Sequence, residues 1–248
     1  MIKIKSQKEL DTIREGSKLL AGILLKLKDK VVPGVTTVEL NRLAESLIFD
    51  CGGTSSFRGY EGFPATICTS INNEIVHGVP SNRVLKEGDI LSIDIGMLYK
   101  GFHSDTALTV AVGQVDSEKV RLIRSAKKAL KRGLKKVRPG NTFGDIGNTI
   151  QRYVESQGFT VIEGLCGHGI GKNLHEDPEV YNTGKRRSGP EMKKGMVFCI
   201  EPMLSNGGAE IERADNGLTF KTKDGSLAAH FEHTVAVTDE GCETLTEV

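Results

Sequence analysis

Val31-Val32-Pro33-Gly34, followed by Thr36 and Glu39, returns 106 positions further on (31 to 137) as Val137-Arg138-Pro139-Gly140, followed by Thr142 and Asp145. Leu40 maps on Ile146 and Gly52 on Gly158 in the same alignment. Each Pro-Gly pair closes one predicted helix and opens another. In the first half, Ser6 and Glu9 form a capping box, and the apolar spacing predicts an amphipathic helix to about Lys30. Thr36 and Glu39 form a second box, and Cys51-Gly52-Gly53 ends the helix that follows. Strand-like sequence follows each terminal glycine. The period is too long for a solenoid repeat. It predicts an α/β (α+β) chain of two half-repeats, about 6–112 and 117–240, related by a pseudo-two-fold axis within one domain spanning 1–248.

Working outward, Val84–Val112 alternates around Tyr99-Lys100-Gly101 and predicts a hairpin. Met196–Leu204 and Ala229–Thr238 predict further strands. The composition, 38% hydrophobic and 26% charged over 248 residues, excludes a collagen, an extended disordered chain and a coiled coil. A chain of this length buries roughly 70–75% of its extended surface without needing a staple. A net charge of +1 argues against a global affinity for DNA or an anionic membrane. No window reaches the ~18 consecutive apolar residues of a membrane span, and Met1–Gln7 lacks the apolar core of a signal peptide. Five widely spaced cysteines with no CxxC pair indicate a reducing compartment. A cytoplasmic location is therefore expected.

The chemistry starts from Asp94, an acid inside the apolar run Ile90–Gly96. Such an acid is costly without a partner. If the hairpin loop holds an even number of residues, Asp94 and Asp105 share a face, directly opposite or diagonal, within roughly 5–8 Å. Two facing carboxylates repel unless a proton or a cation lies between them. His168 sits between glycines in Cys166-Gly167-His168-Gly169-Ile170-Gly171, where backbone can approach closely. Glu201 follows Met196–Ile200 and precedes Pro202, and Glu232 enters the apolar stretch after Phe231. These oxygen and imidazole donors suit a first-row divalent ion: manganese, iron, cobalt or zinc. Four carboxylates call for two such cations, since one would leave a poorly solvated charge of minus two. Two ions sharing carboxylates would stand ~3.5–4 Å apart and activate a water.

Five segments then carry a resemblance: Glu74-Ile75-Val76-His77-Gly78-Val79-Pro80, the Asp94/Asp105 pair, Gly167 through His175-Glu176 to Pro178, Ile200-Glu201-Pro202-Met203, and Glu232-His233-Thr234. In this order, from about Ser6 to Cys242, the chain resembles the type I methionine aminopeptidases, a branch of peptidase family M24. Prolidases and aminopeptidase P share single elements but usually carry a large extra N-terminal domain. The helical insertion of the type II enzymes is also missing.

The resemblance implies a pita-bread fold with a curved antiparallel sheet and a site between the halves. It implies two divalent cations per chain. Asp94 would chelate one, Asp105 and Glu232 would bridge both, and His168 and Glu201 would complete the second. Glu201 would act as general base, and His77 and His175 would contact the substrate. Tyr60, Phe63 and Cys68 match pocket positions, where a linear thioether needs apolar, polarizable walls. Phe57, Leu174 and Leu218 stand where relatives commonly have cysteine, phenylalanine and tryptophan, and Gly96 where many have threonine. His230 is unassigned. The implied activity is excision of the N-terminal methionine of nascent proteins ahead of a small, uncharged second residue, by a monomer. The basic segment Lys119–Arg138 holds ten Lys or Arg and no acid. Val120, Ile123, Leu130, Leu134 and Val137 fit one helical face, with the charges outward. It is a candidate for transient ribosome contact.

Overall fold

The computed structural model describes residues 1–247, so the last residue of the predicted domain lies outside them. Helix α1 (Gln7–Lys28) starts at the predicted box: the Ser6 N–H donates to the Glu9 carboxylate and the Glu9 N–H to the Ser6 hydroxyl. Thr36 and Glu39 repeat this pattern for α2 (Thr37–Asp50). In the second half come α3 (Ser117–Leu134), capped by Asp116, and α4 (Phe143–Ser156), at whose start the Thr142 N–H and hydroxyl donate to Asp145. Isolated β-bridges Thr36–Val84 and Thr142–Glu191 tie the two corresponding caps. The repeat seen in the sequence is thus a repeat of backbone pairing.

The strands of the first half are β1 (Thr54–Ser55), β2 (Ile67–Ile71), β3 (Glu74–Val76), β4 (Ile90–Tyr99) and β5 (Phe102–Ala111). Those of the second are β6 (Thr160–Val161), β7 (Gly167–Gly169), β8 (Glu176–Val180), β9 (Val197–Ile200), β10 (Met203–Ser205), β11 (Ile211–Arg213), β12 (Phe220–Thr222), β13 (Ala228–His230), β14 (Glu232–Thr238) and β15 (Gly241–Thr244). One curved antiparallel sheet runs β1-β4-β5-β14-β9-β7-β8, with β2 on β4 and β15 on β14. The halves join where β5 pairs β14, Ala107 opposite Glu232.

Helices cover one face of this sheet. Leu20, Leu24, Leu40 and Ile48 pack on Leu91 and Ile93 in one core, and Ala126, Leu130, Ile146 and Ile150 pack on Phe198 and Val235 in the other. Burial at this scale is the main stabilising term. No helix among the described residues is long and apolar enough to cross a membrane.

Two sequence expectations need correction. Met196–Leu204 is not one strand: β9 and β10 are separated by Glu201-Pro202 and join different sheets. Proline has no N–H for a ladder bond. Ala229–Thr238 likewise breaks at Phe231 into β13 and β14. β9 pairs β14 in the main sheet, while β10 pairs β13 in a small sheet with β6. The second correction concerns α3. Its buried face is Leu122, Ala126, Ala129, Leu130 and Gly133, whereas Val120 is 51% exposed. Small residues let α3 lie close to α4: Gly133 has no side chain where the Ile150 side chain passes. Leu130 and Val137 are buried as expected and Ile123 and Leu134 pack half-buried against the same core, so Val120 is the residue that falls off the face.

Candidate metal centre and active site

The hairpin turns through Lys100-Gly101, both with positive φ, the signature of a two-residue primed turn. An even loop puts Asp94 and Asp105 on one face, and the register makes them diagonal: Asp94 faces Ala107 and Asp105 faces Gly96. Across the seam Ala107 also faces Glu232. Three carboxylates therefore surround one alanine, whose short side chain leaves the space between them open. One oxygen each of Asp94, Asp105 and Glu232 lies within 4.8 Å of the others.

The second half supplies donors from backbone that departs from the ladder. His168 lies on β7 between two glycines, and the close approach predicted there is present. A Cβ on Gly167 would stand 2.3 Å from the Cys199 carbonyl oxygen, and one on Gly169 would stand 2.0 Å from that of Asp177. The His168 Nδ1–H donates to the Gly169 carbonyl at 3.0 Å, leaving the Nε2 lone pair free. That Nε2 is 3.6 Å from Glu201 Oε1. Glu201 sits on the break after β9, where its carbonyl accepts from Asn182 Nδ2 at 3.0 Å.

The electrostatics of this cluster are those of a site built for cations. Burial, and then repulsion from neighbouring carboxylates, pushes Asp105, Glu201 and Glu232 well above the ordinary carboxylate range. Burial raises Asp94 as well, opposed by the nearby His230. Burial, then His175, pushes His168 down to about 3, so its imidazole is a neutral donor. Asp94 Oδ1, Asp105 Oδ1 and Glu232 Oε1 are buried without any hydrogen-bond partner. Orphaned oxygens of this kind are costly unless something positive satisfies them. Four carboxylates and a neutral imidazole fit divalent cations, and the residues that could hold them are Asp94, Asp105, His168, Glu201 and Glu232.

These five line one cavity of about 290 Å³ together with His77, His175, Tyr60, Phe63 and Cys68. The Tyr60 hydroxyl is 2.9 Å from His175 Nδ1, and the His175 ring stacks edge-on against His168. His77 packs on Phe220, and burial lowers its pKa to about 4. Phe57, Leu174 and Leu218 join Phe63 and Cys68 in the apolar wall. The unusual Gly96 has a local reason: a Cβ there would stand 2.7 Å from Phe57 Cε1. The large ring at 57 and the missing side chain at 96 occupy one space. His103 and His233, by contrast, are held by Ser56 and Thr246.

Three residues were given no role in the sequence reading. Cys199 is buried beside His168 and Glu232, within 4.8 Å, but looks like strand filler in its apolar run. Thr234 binds the Asp105 backbone at both N–H and carbonyl, fixing the seam; its hydroxyl in an otherwise apolar strand was the available signal. Lys5 reaches across to Glu176 at 2.6 Å, with the two side chains 5% and 3% exposed, and so anchors the loop that carries His175. Nothing in a lysine near the chain start announces that partner.

The model of metallopeptidase family M24 matches residues 11–239. The chain is 47% identical to the methionine aminopeptidase of Clostridium perfringens over 246 residues, covering 99% of each. It is 42% identical to methionine aminopeptidase 1 of Bacillus subtilis over 248 residues, covering 100% of each. The crystal structure of methionine aminopeptidase from Rickettsia prowazekii superposes with a TM-score of 0.98 at 40% identity, covering 100% of both chains. An antiparallel sheet curved around orphaned carboxylates, and full-length similarity to enzymes with this fold, lead to one conclusion: the chain belongs to metallopeptidase family M24, among the methionine aminopeptidases.

Proposed function

We propose that this protein removes the N-terminal methionine from polypeptides, preferring a small uncharged second residue, and that it does so with two divalent cations per chain. The observation that carries this is the single cavity onto which five metal-capable donors, two further histidines and an apolar wall all open. Asp94 would hold one ion, Asp105 and Glu232 both, and His168 with Glu201 the other. The division is the one the family resemblance implies, and donor chemistry agrees with it, since a carboxylate has two oxygens to share and His168 one free nitrogen. Bound divalent cations polarise a scissile carbonyl and lower the pKa of water.

The remaining steps belong to the protein's own groups. Glu201 takes the proton of the attacking water and passes it to the leaving amine. His77 and His175 orient the scissile amide and stabilise the developing oxyanion. Tyr60 holds His175 in place through its hydroxyl. The methionine side chain lies against Phe63 and Cys68, where burial keeps the thiol of Cys68 protonated and soft.

The test is methionine release from Met-Gly-type peptides beside an X-Pro panel. Chelator should abolish it and manganese, iron, cobalt or zinc restore it, with metal analysis giving two ions per chain. No turnover with any metal would remove the assignment; cleavage of the X-Pro panel alone would replace it. The same proposal takes residues 1–248 as one catalytic domain acting as a cytoplasmic monomer. It also takes the exposed basic residues of α3 as a weak, salt-sensitive contact for ribosomal RNA, which ribosome pelleting at graded salt checks.

A further inference from the structure

His230 lies outside the motifs discussed so far, yet its ring is 1% exposed and stands at the heart of the site. Sequence parity puts it on a face with Glu232 along one strand. The break at Phe231 removes that basis, and the ring reaches the cluster from the small sheet instead, where His230 pairs with Met203. Its backbone is clamped. The His230 N–H donates to Thr109 Oγ1 at 2.8 Å, and Thr109 Oγ1 donates to the His230 carbonyl at 2.8 Å. Ser92 Oγ, 2.7 Å away, completes the Thr109 hydroxyl's bonding.

The side chain, so firmly presented, has no hydrogen-bond partner at either ring nitrogen. Leaving a buried polar ring unpaired is unfavourable, and the carboxylate that stands near a ring nitrogen is that of Glu201. Nε2 stands 3.6 Å from Glu201 Oε2, while His168 Nε2 stands 3.6 Å from Glu201 Oε1. The carboxylate is thus flanked by two imidazoles. Its main-chain carbonyl is fixed by Asn182, but no hydrogen bond among the described residues holds the carboxylate itself.

We propose that His230 is a positioning residue for Glu201, donating Nε2–H to Oε2 and so turning Oε1 toward His168 and the metal-capable cluster. This rests on the assignment of Glu201 as proton carrier. A closure of under ~1 Å brings the pair to hydrogen-bond distance. A carboxylate held at one oxygen by a neutral donor keeps its charge and presents the other oxygen in a fixed direction. Outer groups of this kind typically change activity or metal affinity by about 10–100-fold when lost.

The test uses metal-loaded protein. Long-range ¹H–¹⁵N NMR of the zinc form should show His230 neutral with its proton on Nε2. His230→Leu should lower kcat by about 10–100-fold with KM unchanged and shift the visible spectrum of the cobalt form. His230→Gln, which keeps an N–H donor, should restore most of the loss. A proton on Nδ1 would overturn the proposal, as would a folded, metal-replete His230→Leu protein with undiminished kcat. So would a glutamine variant as impaired as the leucine one. Should His230→Leu not fold, the tautomer in the unmodified protein decides. Absence of any methionine release would defeat the aminopeptidase assignment, while the NMR result would still judge the His230–Glu201 bond.

Discussion

The two halves carry the same helix pair and the same capped Pro-Gly connection, but they deliver their acids to the site differently. In the first half Asp94 and Asp105 stand on an uninterrupted ladder, their relative placement dictated by a two-residue turn. In the second half Glu201 and Glu232 stand where strands leave one sheet for another. A ladder offers rigid placement and no freedom. A strand break frees a side chain to meet groups from both sheets, as Glu201 meets His168 on the main sheet and His230 on the small one. Under the proposed assignment both halves supply donors for cations, Asp94 and Asp105 from the first and His168, Glu201 and Glu232 from the second, and only the broken half supplies the proton carrier, Glu201.

The sharpest way to break this contrast is Glu201→Gln against Asp94→Asn. The glutamine should cost about 10²–10⁴-fold in kcat and stay impaired in excess metal. The asparagine should chiefly lower metal occupancy and recover activity as metal is added. Equal rescue of both, read by metal titration and steady-state kinetics, would erase the distinction.

Next in size is the anchor of the His175 loop. Burial pushes the Glu176 carboxyl up, but the hydrogen bonds from Lys5, Asn173 and Lys3 outweigh it and hold its pKa below the ordinary 4.5. The folded state then binds fewer protons than the unfolded one, so the contribution is complete above the unfolded value and fades as pH falls through the folded one. Glu176→Gln should cost about 3 kcal/mol at neutral pH by leaving the buried Lys5 uncompensated. The difference from the unaltered protein should shrink in acid, as denaturant melts across pH would reveal.

Packing around the ladder half gives a smaller effect. Gly96→Ala should cost about 1–3 kcal/mol, since the new methyl collides with Phe57. Phe57→Ala combined with it should cost less than the sum, with a coupling of about 0.5–3 kcal/mol. Additive losses would show that the two positions do not share space. Smallest is the cap comparison. Thr36→Ala should cost about 1 kcal/mol because its hydroxyl accepts from the Glu39 N–H. Thr142→Ala should cost about the same, because the Thr142–Asp145 box repeats the arrangement, hydroxyl-to-carboxylate bond included. Thermal melts of the pair measure how alike the halves are.

What could be read ahead of the structure followed local rules. Capping boxes, turn residues and the parity of a hairpin act over a few residues, so the helix starts and the Asp94/Asp105 face were legible. Five of the metal-capable residues and the two pocket histidines were also named, on motif resemblance and charge counting. The failures lie where a local pattern met a distant constraint. The run before Glu201 looks like a continuing strand, and only the competition between two sheets for it shows that it stops. On α3, Val120 looks as apolar as a core residue, but the close approach to α4 is made at Gly133, where the Ile150 side chain passes.

By itself, then, the chain's order of residues determined its elements, its doubled plan and the identity of its buried acids, because hydrogen-bond geometry and side-chain chemistry are properties of short segments. Tertiary structure alone decided which groups face one another: Lys5 with Glu176, Phe57 with the gap at Gly96, His230 with Glu201. Those pairings span from 29 to 171 positions, Glu201 to His230 and Lys5 to Glu176 being the extremes. They are set by how two curved halves close on each other, and no local rule carries that information.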